Sequence, residues 1–286
     1  MGSDFAGEVV IVLDALRDSA DPRCRVGERV AGFLRGATSA IERPGAFTEY
    51  VTPEHDLVWL IPAPLTYEQA ASLYATQMVR LSDQFTGKKT TLVGVAGAGK
   101  HALLKADPYG YNEVLDYRDE HWAEKAMKLT GGSGFALGVD SITEGKTVYT
   151  MDSLLKDDGR LSVFRAPGAA HYNPDELRIK LEYGNAWDAF GVELQYYYGV
   201  TIPANPKAKD FAIQFYKYLT GAATKNKVLI EPNPVRLMPG GLERIAPDAF
   251  YLLRPKDMGA LLAVEGQRTE DYMRPVSGEK LVYTIV

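Results

Sequence analysis

The segment TTLVGVAGAGKHALL (residues 90–104) decides the fold class. A β-branched apolar run passes into closely spaced small residues and then into a helical pattern, the strand–turn–helix corner of an α/β protein. Its residues admit more than one chemistry. Gly94, Gly99 and Lys100 match the phosphate-loop pattern G-x-x-x-x-G-K, but His101 stands where that loop needs Ser or Thr to hold Mg²⁺. The acid such a site also needs has only Asp140, at the end of an apolar run, to offer. Gly97-x-Gly99-x-x-Ala102 also fits a dinucleotide fingerprint with Asp116 near the end of the next strand, although Asp107-Pro108 cuts the helix short. Alternatively this is a later turn of a dinucleotide-binding sheet, at the ribose end, with Lys100 and His101 open to a 2′-phosphate, which favours NADP over NAD. The bland alternative is a tight turn with Lys100 in solvent.

Toward the C-terminus the alternation continues. EVLDY (113–117), GFALGVD (134–140) and RLSVFRA (160–166) read as strands, with helices at HWAEKAMKL (121–129) and around 143–156. This is the pattern of a parallel sheet. VELQYYYGV (192–200) is strand-like, Asn205-Pro206 caps a helix to about Leu219, and GEKLVYTIV closes the chain as a strand. Tyr196, Tyr197 and Tyr198 read as core or interface. Toward the N-terminus, Thr66-Tyr67-Glu68-Gln69 fits a capping box, followed by Ala70, Leu73, Tyr74, Met78 and Leu81 at helical spacing. The first sixty residues read as β and turn: VVIVL (9–13), RVGERVAGF (25–33), PGAFTEYV (44–51) and LVWLIP (57–62) suit a small antiparallel barrel or irregular sheet.

The 286 residues are 46% hydrophobic and 24% charged, with net charge −5 and pI ≈ 5.5. That length buries a full core without staples, and the composition excludes disordered, collagen-like and disulfide-scaffold classes. Cys24 is the one cysteine, so no internal disulfide forms. No leader and no apolar run near 18 residues is visible, so a soluble intracellular protein without a membrane partner is expected. The acidic balance argues against nucleic acid. His55, His101, His121 and His171 are scattered and no H-E-x-x-H or G-x-S-x-G occurs, so neither a zinc site nor a serine-nucleophile elbow is expected.

Taken together, several blocks resemble the zinc-independent medium-chain dehydrogenase/reductase family, most closely the fungal trans-acting enoyl reductases of polyketide biosynthesis. GSDFAGEVV (2–10), RVGERVAGF and PGAFTEYV are similar to the second half of that family's GroES-like domain. EVLDYRD (113–119), GFALGVDSI (134–142), RLSVFRAP (160–167) and PVSGEKLVYTI (275–285) are similar to its Rossmann strands and returning C-terminus. Family members carry a further stretch before GSDFAGEVV, and a first Rossmann strand with its glycine-rich turn. Here ASLYATQMVRLS (71–82) passes directly into what resembles the helix after that turn, and GVAGAGKHALLKA matches the second strand and its turn.

The resemblance implies an α/β fold with a Rossmann-like parallel sheet and a partial GroES-like β domain. It divides the chain into a partial β domain (1–65), a cofactor domain (66–225) and a segment (226–286) returning to the β domain. It implies an NADPH-dependent enoyl reductase acting in trans on an acyl chain tethered to a polyketide synthase or PKS-NRPS, cytoplasmic and monomeric. Cofactor contacts then fall on Gly97, Ala98, Gly99, Lys100, Tyr117, Phe164, Arg165, Val276 and Ser277. Substrate contacts fall on Trp187, Asp188, Ala189, Phe190 and Gly191. No proton donor is assigned, because the family's candidates lie in the unmatched segments. The alternatives are a degenerate, non-catalytic relative that docks on the synthase and, as an outsider, a phosphate-loop nucleotide-binding protein.

Overall fold

The computed structural model describes residues 2–35, 45–71, 83, 87, 89–195, 201–253 and 269–285. They fall into two compact units: Lys88–Asp188, and Met1–Gly87 joined by Ala189–Val286.

The chain opens in the second of these with β1 (Asp4–Glu8), β2 (Arg29–Phe33) and β3 (Val58–Leu60), an antiparallel sheet in that order. The first strand is DFAGE and not the expected VVIVL. Pairing with β2 runs from Asp4 opposite Phe33 to Glu8 opposite Arg29, and Val9 closes it with bonds to Glu28 and Gly27. Val10, Ile11 and Leu13, one to four residues further on, stay exposed. A β-branched run becomes a strand only where a neighbour offers a ladder, and the ladder of β1 with β2 stops at the Glu8–Arg29 pair. PGAFTEYV forms bends over residues 46–49 and no strand. The capping box is present: the Thr66 hydroxyl accepts from Gln69 N at 3.2 Å and Gln69 Oε1 from Thr66 N at 2.9 Å. It starts α1 (Tyr67–Ala70), while Leu73, Tyr74, Met78 and Leu81 lie outside the described residues.

In the other unit strands and helices alternate: β4 (Val93–Val95), α2 (His101–Lys105), β5 (Glu113–Leu115), α3 (Trp122–Leu129), β6 (Phe135–Asp140), α4 (Lys146–Leu154), β7 (Leu155–Val163), α5 (Pro167–Ala170) and β8 (Leu181–Tyr183). All the pairings are parallel, β4 with β5 and β6-β7-β8 in that order. β7 starts five residues before the expected strand, because Leu155 is buried and pairs with Phe135. The core beneath it joins Val148, Leu155, Leu161, Val163, Tyr172 and Ile179.

The chain then returns to the unit of the N-terminal sheet through β9 (Leu194–Gln195), β10 (Thr201–Ile202), α6 (Pro206–Ala223), β11 (Val235–Met238) and β12 (Lys280–Tyr283), the last two parallel. Tyr196, Tyr197 and Tyr198 lie outside the described residues. α6 puts Leu219 into the cluster of Ala31, Trp59, Ile61, Leu65 and Ile230, and its Thr220 hydroxyl accepts from Leu60 N at 3.3 Å. Residues 66–71 and 206–223 group with the N-terminal sheet. Amphipathic spacing shows that a helix has a buried face, not which sheet buries it.

Arg236 on β11 is 5% exposed, and its guanidinium donates to the carbonyls of Tyr272, Arg274 and Pro275 and to Glu279. The Arg236 hydrogen bond holds the Glu279 carboxyl below its ordinary range, against the opposing effect of burial. A depressed carboxyl stabilises the fold above its unfolded pKa, and the contribution is lost as pH falls through the lowered value. Arg236→Met leaves Glu279 with Arg274 alone, 3.1 Å away, and strips the buried loop carbonyls of their donor; it is expected to cost about 1–3 kcal/mol in chemical denaturation. Glu279→Gln is expected to flatten the acid-side decline in stability; an unchanged decline would show that other carboxyls carry it.

Candidate functional site

After β4 the chain extends through Gly97, makes a single 3-10 turn at Ala98–Lys100 and enters α2. Because Val95 pairs with Leu115, the turn after β4 lies beside the turn after β5, and Ala96 N donates to Leu115 O at 2.9 Å. Asp116 ties the two turns together. One carboxylate oxygen accepts from Ala98 N at 3.1 Å, the other from Arg118 N at 2.9 Å. The Arg118 N–H chiefly holds this carboxyl below the ordinary range, assisted by the Ala98 N–H and the charges of Arg118 and His101. His101 Nε2 meets Ala96 O at 3.0 Å.

Arg118 lies over the Tyr117 ring, 5.0 Å from its centroid. Both terminal guanidinium nitrogens and the ring edge lie 3.5 Å from where a Cβ on Gly97 would stand. Gly97 and Gly99 are absent from the positive-φ residues, and a Cβ on Gly99 would meet nothing within 4 Å. The backbone conformation does not demand these glycines. What they provide is bare main chain that a ligand can approach, beside Lys100, Tyr117 and Arg118. The expectation included Lys100 and Tyr117 and missed Arg118, although EVLDYRD places it next to Tyr117.

This arrangement offers an anionic ligand two cations, an exposed ring and main chain open at Gly99. It does not fit a pyrophosphate cradle, since the Ala98 N–H is committed to Asp116 and α2 has five residues. Nor is it a phosphate loop. Gly94 is the middle of β4, where its missing Cβ makes room for the Tyr111 ring, 2.8 Å from the Cβ position. Asp140 is fully engaged by Ile142 N, Thr143 N and the Thr147 hydroxyl.

The remaining expected residues are placed as follows. Phe164 and Arg165 follow β7. The Phe164 ring is half exposed, and Phe164 N donates to the Thr143 hydroxyl at 3.0 Å. Arg165 binds Glu144 and the Ala169 and Thr143 carbonyls, so it ties loops together. Trp187 and Asp188 sit on a 3-10 turn whose amides donate to the Asn185 side chain and carbonyl. Ala189, Phe190 and Gly191 belong to the other unit. There Phe190 is buried and stacks on Phe33, with centroids 6.1 Å apart. Gly191, at φ 69°, packs against Lys209. Val276 and Ser277 lie in the loop organised by Arg236, half buried and exposed respectively. Among the described residues no cluster of three His, Cys, Asp or Glu could hold a metal, and no helix is long and apolar enough to cross a membrane.

No family model matches the chain. Curated relatives do. A trans-enoyl reductase of Penicillium citrinum is 24% identical over 100% of this chain and 82% of its own length, and one of Aspergillus niger is 27% identical over 99% and 82%. The first alignment spans 324 positions against the 286 residues of the chain, so at least 38 have no counterpart here. Among solved structures, the CurK enoyl reductase superposes with a TM-score of 0.60 at 15% identity, covering 87% of this chain and 74% of that one. The likeness shows the fold, a Rossmann-like parallel sheet with a GroES-like β part.

Since neither turn glycine is conformationally required, Gly97→Ala and Gly99→Ala are each expected to change unfolding free energy by no more than about 0.5 kcal/mol. A loss above about 2 kcal/mol in thermal or urea unfolding would mean that the turn needs glycine for its own geometry.

Proposed function

We propose that this homologue of the fungal trans-enoyl reductases is itself an NADPH-dependent enoyl reductase. It acts in trans on an α,β-unsaturated acyl thioester held by a polyketide synthase or PKS-NRPS, as a cytoplasmic monomer. The observation that carries this reading is similarity to named trans-enoyl reductases along the entire chain. The turns after β4 and β5 support it, because their residues suit the end of the cofactor that distinguishes NADPH from NADH.

In this reading the turn of Gly97, Ala98 and Gly99, open at Gly99, lets the 2′-phosphorylated ribose come close, and Lys100 and Arg118 neutralise its phosphate. Asp116 holds both turns in register, so the cations are in place before the ligand arrives. Tyr117 presents its ring to the adenosine end. Bound nicotinamide supplies a hydride for the β-carbon of the substrate. Phe164, Arg165, Val276 and Ser277 are the proposed contacts toward the nicotinamide. The segment Trp187, Asp188, Ala189, Phe190 and Gly191 is proposed for the substrate, with Phe190 and Gly191 shaping it from within the fold.

One observation favours a second reading, a non-catalytic relative that docks on the synthase. The Ala98 N–H, where an anion would rest, is taken by Asp116, and at least 38 positions of the first relative are missing.

Fluorescence titration separates the two. Saturable NADPH binding is expected, weakened about tenfold by Lys100→Ala or Arg118→Ala, the loss of one charge-assisted hydrogen bond of about 1.5 kcal/mol. NADH binding should change by less than about twofold, since it lacks the phosphate those cations grip. A folded chain that binds neither nucleotide would overturn the reductase reading in favour of the docking one.

A further inference from the structure

The loops leaving β6 and β7 hold two charged groups, Glu144 and His171, that the roles above leave unused. Glu144 Oε1 meets His171 Nδ1 at 2.7 Å, and Glu144 Oε2 pairs with Arg165. Three non-glycine residues among those described have positive φ, and two of them are here, Thr143 at 47° and His171 at 55°. Gly145, between these loops, is at 33°. Hydrogen bonds over-determine this geometry. Phe164 N donates to the Thr143 hydroxyl at 3.0 Å, that hydroxyl donates to Asp140 O at 2.6 Å, and Gly145 N donates to Ala170 O at 2.6 Å. Thr143 is fully buried beneath, whereas the His171 side chain is 79% exposed.

Left-handed backbone at threonine and histidine survives only where the surroundings enforce it, and such residues collect at active sites. The position agrees. Asp140 and Val163 end two adjacent parallel strands, and ligands of open parallel sheets bind outside the carboxyl ends. A histidine whose Nδ1 is held by a carboxylate, with its ring in solvent, has the form of an oriented general acid.

We propose that His171 is the proton donor of the reduction and that Glu144 is its positioning residue, an inference resting on the enoyl-reductase reading. Hydride from the reduced nicotinamide forms the C–H bond at the β-carbon while the C=C electron pair moves to the α-carbon as a thioester enolate. The Nε2–H bond of the imidazolium then breaks, and its proton forms the second C–H bond at the α-carbon. Substrate is reduced, nicotinamide is oxidised, and the neutral imidazole regains a proton from solvent. The charged groups facing His171 are Glu144 and, through it, Arg165.

The test uses the full chain with NADPH and a short α,β-unsaturated acyl thioester of N-acetylcysteamine. His171→Asn suits it because asparagine tolerates left-handed backbone. Turnover is expected to fall about a hundredfold with KM and NADPH affinity unchanged. Glu144→Gln keeps the donor but removes the carboxylate that orients it, so kcat should fall about tenfold with KM and NADPH affinity unchanged. An Asn variant with wild-type turnover overturns the proposal, as does a loss of turnover matched by loss of NADPH affinity, or wild-type kcat in Glu144→Gln. A wild type that binds NADPH but reduces no thioester also overturns it. A wild type that does not bind NADPH refutes the enoyl-reductase reading itself.

Discussion

The candidate site depends on one carboxylate. Asp116 accepts from the main chain of both turns at the ends of β4 and β5, and this joins two loops that the parallel pairing only brings near each other. Without it, Lys100 and Arg118 would ride on independent loops and would have to be ordered by each ligand at an entropic cost. The same bond has a consequence for chemistry. A carboxylate resting on the Ala98 amide fills the place where a phosphate would lie, so the turn is set up for a phosphate held by side chains and not by main-chain amides.

The second loop pair of the same unit is built by a similar device, with a different result. Asp140 collects Ile142 N, Thr143 N and the Thr147 hydroxyl, and Thr143 in turn receives Phe164 N. This network holds backbone that costs on the order of 1–3 kcal/mol per left-handed residue. It sets Glu144, Arg165 and His171 above the strand ends. An acid that could pass for a nucleotide-site residue is thus an organiser of loops, because both its oxygens already accept hydrogen bonds inside the fold.

The other unit shows long-range dependence of another kind. Its N-terminal sheet has three strands, and the face carrying Ala31 and Trp59 is covered by α6 and Ile230, more than a hundred residues away in the chain. The Leu60–Thr220 hydrogen bond fastens this cover. Burial of Tyr216 on the same helix pushes its hydroxyl up to about 12, so it stays neutral across the physiological range.

The sequence by itself determined whatever is local. The change from β-branched runs to helical spacing marked β4 to α4, the Thr66–Gln69 box marked the start of α1, and Asn205-Pro206 marked the start of α6. The positions of Lys100 and Tyr117 in turns after strands were legible for the same reason, since each turn follows a strand its own residues specify. Only the tertiary structure decided that DFAGE pairs while VVIVL stays exposed, that α6 covers the N-terminal sheet, that Arg118 joins the turn, and that His171 meets Glu144 across 27 residues. Each of these outcomes depends on a partner distant in the chain. Propensity and spacing describe what a segment can do, whereas the hydrogen-bond and packing partners that select among those options exist only once the chain has closed on itself.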